Sequence, residues 1–169
     1  MAVAWHSIFS MDPPAYGVGI SKKRFTHGLI EESGAFAVNC MPGREAKLVA
    51  AVGGCSGRDV DKFRELGIRK TEGLLLDVPI IVSAYFALEC EVFHKAPVGD
   101  HDWFVGRVVA THWSDEAFDD EGIVNLKKAK PATYLGKDNY LAITDGRKRR
   151  LDRKVCFAEK GKRAKRSVH

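Results

Sequence analysis

Four short stretches carry residue types and spacings suited to chemistry, and two of them suit an anion. Ser21-Lys22-Lys23-Arg24-Phe25-Thr26 places hydroxyls and cations directly before a helix start. A helix N-terminus offers unpaired backbone N–H groups and a favourable dipole, and a guanidinium adds charge-assisted donors. Ser21, Arg24 and Thr26 are the candidate ligands there. A capped helix behind a solvated basic loop explains the same residues without a ligand, with Thr26 as N-cap and Phe25 stapled to Ile30. The second stretch, Cys55 to Phe63, offers Ser56, Gly57 and Lys62 at another helix start; Ser56 as an N-cap beside an exposed charged face is its plainer reading.

The third stretch is Ala4-Trp5-His6-Ser7, a strand end whose backbone can present donors and acceptors to a planar polar ring. Trp5 can wall such a ring or fill a core, and His6 alone is commonly structural. The fourth is Gly99-Asp100-His101-Asp102-Trp103, which a hairpin turn explains by itself. His101 lies between two aspartates, a setting that favours its protonated form beside an anion.

Rival chemistries lack their motifs. Gly17-x-Gly19 has neither a third glycine nor a following βαβ unit, and GxxxxGK[ST] and Gly-x-Ser-x-Gly are absent. Cys40, Cys55, Cys90 and Cys156 are widely spaced, which argues for free thiols rather than a disulfide framework. Cys90, His94 and His101 match no closed zinc pattern, so no metal is expected.

The elements that must position these residues are mostly strands. Asp12-Pro13-Pro14 is a corner, because two prolines withhold ladder donors. Ala15–Ile20 reads as a strand whose Gly17 and Gly19 admit a close neighbour. A helix from Thr26 ends at Ser33-Gly34, and Ala35–Met41 returns as a strand with Phe36 and Val38 on one face. Helices are expected over Glu45–Val52 and from Ser56 to a stop at Gly67, the latter with Val60, Phe63 and Leu66 as its stripe. Strands follow over Ile80–Phe93 and His101–Trp113, turning at Gly99-Asp100, and a last one over Tyr140–Ile143.

At 169 residues, with 45% hydrophobic and 29% charged side chains, the chain fits one soluble domain. No apolar run approaches the roughly 20 residues that span a bilayer, and no leader is visible, so a cytoplasmic protein without membrane contact is expected. The net charge of +5 is uneven: residues 147–166 hold eleven Lys/Arg and two acids, leaving 16 basic and 20 acidic side chains elsewhere. A domain over 1–145 followed by a basic tail over 146–169 is therefore expected. The tail reads as a solvated extension or, less favourably, as a nucleic-acid contact.

Taken in order, the Asp-Pro-Pro corner with Gly-Val-Gly-Ile-Ser, Thr26-His27-x-Leu29-Ile30-x-x-x-Gly34-x-Phe36-x-Val38-Asn39, Ser56-Gly57-Arg58-Asp59-x-Asp61-Lys62-Phe63, and Leu88-Glu89-Cys90 with Gly99-Asp100-His101 resemble the flavin reductase-like, FMN-binding split-barrel family, in its flavoredoxin-type branch. The resemblance covers roughly residues 2–113. It implies a mainly β fold: a six-stranded split β-barrel with short flanking helices, forming a homodimer with FMN near the subunit interface. Family members carry a further strand before the position of Met1, so that strand is expected to be missing here. By likeness, Ala4, Trp5, His6 and Ser7 face the flavin ring. Ser21, Arg24, Thr26, Ser56, Gly57 and Lys62 hold the phosphate and ribityl chain, and Asn39, Cys40 and Met41 lie beside the flavin. His101 is the candidate on the nicotinamide or phosphate side. The implied activity is hydride transfer from NADH or NADPH to the flavin, then transfer to free flavin or an electron-acceptor protein. The alternative is a non-catalytic protein that binds FMN, or binds nucleic acid or a partner through its tail.

Overall fold

The computed structural model describes residues 1–126, 128–137, 139–142 and 148–150. β1 (His6–Met11) and β2 (Pro14–Ser21) flank the Asp12-Pro13 corner, where the chain reverses into an antiparallel pair. α1 (Phe25–Ser33) and β3 (Ala35–Cys40) follow. Next come α2 (Ala46–Gly53), entered through a turn of 3-10 helix, and α3 (Lys62–Glu65). A small pair, β4 (Lys70–Glu72) and β5 (Pro79–Ile81), precedes the long hairpin of β6 (Phe86–Val98) and β7 (His101–Trp113). β8 (Ala132–Gly136), β9 (Asn139–Ala142) and β10 (Lys148–Arg150) form a separate antiparallel sheet.

The main sheet has five strands in the order β1-β2-β7-β6-β3, all antiparallel. This is the mainly β architecture expected from the residues; the main sheet has five strands among the described residues, where the resemblance implies a six-stranded split barrel. The β6–β7 hairpin turns at Gly99, whose φ of 61° is cheap only for glycine. Register shifts at Glu89/Cys90 and Val92/His94 break the ladder of this hairpin at two points, and such bulges bend a strand. The expected strand over Ile80–Phe93 is two strands, because Val82–Tyr85 leave the ladder to connect them.

Side chains alternate across the sheet, and this sets the core. Val18, Ile20, Phe36, Leu88, Cys90 and Phe104 meet Ile30 of α1 on one face, with Tyr16, Val38 and Val92 at their edge. Each large apolar side chain buried in this way stabilises by about 1.5–3 kcal/mol. Burial pushes the Cys90 thiol up to about 12, aided by the Glu89 charge, so it behaves as an inert core residue. On the other face of β3 and β6, Val78, Ile80 and Ala87 form a second cluster with Ala35, Ala37 and Leu76.

That second cluster contains a charge. Glu89 is fully buried and accepts hydrogen bonds from the backbone N–H groups of Leu74 (2.6 Å), Leu75 (3.0 Å) and Leu76 (2.8 Å), and pairs with His112 Nε2 at 2.6 Å. Burial alone would raise its pKa; these four partners overcome that and hold it at about 2. Gly73 is required beside it, since a Cβ there would come within 2.4 Å of the Leu76 carbonyl. The 73–76 turn is thus fixed to β6 by one carboxylate.

Two helix starts differ from expectation. α1 begins at Phe25 with Arg24 as N-cap, so Thr26 is inside the first turn and no Phe25–Ile30 staple geometry arises. The cause is the tight turn before it: Arg24 N–H donates to the Ser21 carbonyl at 2.9 Å, leaving no room for a later cap. The Ser56 segment is a turn rather than a helix, with Ser56 O accepting from Asp59 and Val60 N–H at 3.2 Å. α3 starts only at Lys62, capped by Asp61, whose carboxylate accepts from Phe63 and Arg64 N–H. The stops at Gly34 and Gly67, with φ of 66° and 63°, are as expected.

Candidate functional site

The two anion-ready segments lie against each other. Gly57 faces the Phe25 ring so closely that a Cβ would sit 2.8 Å from Cδ1, and the Arg58 guanidinium rests over the same ring at 5.8 Å. No side chain caps α1, so the first N–H groups of the helix are free of side-chain acceptors. Lys62 donates to the Val52 carbonyl at 2.8 Å, which holds its half-buried ammonium at the base of this junction. Burial lowers the Lys62 pKa; Cys55 opposes this, and the Arg24 guanidinium adds a smaller lowering effect. Among the described residues neither Arg24 nor Arg58 has an ion-pair partner. Unpaired guanidinium groups beside an uncapped helix start form a place that an anion would stabilise.

Ser21 connects this junction to the other candidate residues. It ends β2, and the register places it opposite His101 at the start of β7. The Trp5 ring lies 4.2 Å from the His101 ring, tilted by 53°. Trp5 is anchored through its carbonyl, which accepts from Gly19 N–H at 2.8 Å. Ala4 and Trp5 are exposed, and Trp5 walls a surface rather than filling the core. The close neighbours at Gly17 and Gly19 are side chains of the protein itself: the Phe9 ring lies over Gly17, and the Trp5 Cβ and the Trp103 ring lie over Gly19.

Other candidates are held by local bonds. His6 Nδ1 pairs with the Tyr16 hydroxyl at 2.6 Å, and Ser7 Oγ donates to the Ile8 carbonyl at 3.2 Å. Only one of the two aspartates reaches His101: Asp100 contacts its Nδ1 at 2.8 Å, while Asp102 points to the opposite face of β7. The Asn39 amide ties β3 to β5, donating to the Pro79 carbonyl and accepting from Ile81 N–H. The carbonyls of Cys40 and Met41 accept from Tyr85 and Ala132. These three bind β3 to its neighbours, and their hydrogen bonds do not run to the α1 start or the 55–62 segment.

One cluster was not apparent from the sequence. His27, in the first turn of α1, places Nε2 2.8 Å from Asp102 Oδ2 and Nδ1 3.2 Å from Glu31 Oε2. Lys95 contacts Glu31 and lies 3.8 Å from Asp102, and Lys22 lies 3.4 Å from Asp102 Oδ1. The His27 hydrogen bond, helped by the two lysines against the cost of burial, holds the Asp102 carboxyl below its usual range. His27, Glu31 and Asp102 have metal-ligand side chains within 4.8 Å of one another, but the Lys95 ammonium already serves both carboxylates. Asp102 is 75 residues from His27, so no local pattern joins them.

Comparison with known proteins places the chain in a family and a fold. The model of the flavin reductase like domain matches residues 1–140. An FMN-binding protein from Thermus thermophilus superposes with a TM-score of 0.70 and 35% identity, covering 89% of this chain and 77% of that one. Flavoredoxin from Methanosarcina acetivorans gives a TM-score of 0.74 at 28% identity, over 89% and 76% of the two chains. A protein of Aeropyrum pernix is 33% identical over 138 residues; they are 81% of this chain and only 52% of that relative, so the chain spans about half its length. The chain belongs to the flavin reductase-like family and has its split-barrel fold.

Proposed function

We propose that the protein is an FMN-dependent flavin oxidoreductase of the flavoredoxin type, acting as a cytoplasmic homodimer. The observation that carries this reading is the junction of the uncapped α1 start with the 56–62 segment, where Gly57 meets the Phe25 ring, Arg58 lies over that ring and Lys62 is held on the Val52 carbonyl. A phosphate monoester fits its donor set: backbone N–H groups of α1, the Arg24 guanidinium, the Lys62 ammonium and the hydroxyls of Ser21 and Thr26. Gly57 keeps the opposite wall low by admitting the Phe25 ring.

FMN held there would supply a two-electron acceptor for hydride from NADH or NADPH, with free flavin or an acceptor protein as the onward acceptor. The chain's own part is positioning. The pairing of Ser21 with His101 keeps the phosphate end and the ring end on adjacent strands. Trp5, which lies beside His101, would wall a planar ring, and the backbone of Ala4 to Ser7 would offer it donors and acceptors. Asp100 fixes His101 through Nδ1 and leaves Nε2 free to meet the co-substrate.

Protein purified with FMN should show the two visible flavin bands, and NADH or NADPH should bleach them under anaerobic conditions. Stable flavin absorbance without bleaching by either nucleotide would leave a carrier reduced by a partner, the activity the flavoredoxin likeness favours. Protein that takes up no flavin would reject the reading.

A further inference from the structure

Asp102 is almost completely buried, yet three elements meet at its carboxylate. Lys22 comes from the loop before α1, His27 from the first turn of α1, and Lys95 from β6, at 3.4, 2.8 and 3.8 Å respectively. The His27 ring also packs edge-on against Phe104 at 5.0 Å, two residues along β7. Asp102 itself adjoins His101, whose ring is on the opposite face of the same strand. Its Oδ1 has no hydrogen-bond partner among the described residues and is faced only by the Lys22 ammonium.

We propose that Asp102 is a positioning residue, which sets the distance between the phosphate-binding start of α1 and the His101 end of β7. The inference rests on the FMN reading above and goes beyond it by assigning a role to a residue that touches neither flavin nor nucleotide. Placing a carboxylate near a phosphate site is electrostatically unfavourable, since it repels the dianion and neutralises Lys22. The gain is geometric. His27 and Lys22 are both drawn onto β7, so the free N–H groups of α1 stay aimed at one point.

The two effects predict opposite signs. If Asp102 acted only through its charge, Asp102→Asn would tighten FMN binding. As a positioning residue, the same nearly isosteric change releases Lys22 and loosens the His27 contact, and FMN binding weakens by about tenfold. Riboflavin, which lacks the phosphate, changes by less than about twofold on the same argument. The experiment is fluorescence titration of the full chain with FMN and with riboflavin, alongside thermal melting. His27→Phe keeps a ring against Phe104 and removes the donor, and it should shift the FMN-to-riboflavin ratio in the same direction. His27→Gln, which can still donate to Asp102, should restore it. An Asp102→Asn protein with unchanged or tighter FMN binding overturns the inference. So does an equal loss of both flavins, or loss of the folding transition in both Asp102→Asn and His27→Phe. Wild-type protein that binds neither flavin rejects the FMN reading itself, before any variant is compared.

Discussion

Arg24 and Lys62 are the cations on which flavin retention should depend. Arg24→Ala and Lys62→Ala should each weaken FMN by about 1–3 kcal/mol in a titration, the range for a charge-assisted hydrogen bond. Lys62→Ala also removes a donor from the Val52 carbonyl, so its melting temperature should be measured with its affinity. Unchanged affinity in both variants would reject the placement of the phosphate. Arg24 is a local candidate, since a basic loop running into a helix start can be read from the six consecutive letters Ser21 to Thr26, whereas Lys62 comes from a second segment whose helix starts later than expected. Asp102 was read as a neighbour of His101, as sequence adjacency suggests. Strand alternation sends consecutive side chains to opposite faces, and so His27 rather than His101 receives it. Glu31, unfavourably placed for the helix dipole, is explained by His27 and Lys95, which reach it from the turn before and from β6.

Among the elements, the 73–76 turn makes the clearest prediction. Glu89 is held at about 2 in the folded protein against an ordinary value near 4.5. Its contribution is therefore complete above pH 4.5 and is lost as the pH falls toward 2. Denaturant melts between pH 6 and pH 2 should show stability declining through this window. Glu89→Gln should flatten that decline and cost about 1–3 kcal/mol at neutral pH, because backbone donors of the turn lose a charged acceptor. An unaltered pH profile in the variant would remove Glu89 from the account. Strand positions were largely legible through turn residues such as Gly99 and Pro14. The helix starts were not, since capping depends on which turn closes first. Ser21 and Asp61 closed theirs before Thr26 and Ser56 could act. The buried Glu89 was likewise invisible, as its partners lie 13 to 15 residues away along the backbone and 23 residues away at His112.

For the whole molecule, Ile8, Phe9 and Met11 of β1 and Phe93 and Val98 of β6 are half or more exposed. β1 is also an edge strand of the main sheet. Exposed apolar side chains beside a free edge fit the proposed homodimer. Sedimentation should give twice the chain mass, and Met11→Lys with Ile8→Lys should shift it toward monomer; a wild-type monomer would contradict the proposal. Of the basic tail over 146–169, Lys148–Arg150 pair with β9 as a strand, and the rest lies outside the described residues. No helix among the described residues is long and apolar enough to cross a membrane. The central claim is a flavin held by its phosphate, and equilibrium titration of the full chain with FMN and riboflavin tests it. One FMN should bind per chain, with riboflavin weaker by at least about tenfold, as loss of a charge-assisted anchor requires. Equal affinity for the two, or binding of neither, would contradict it.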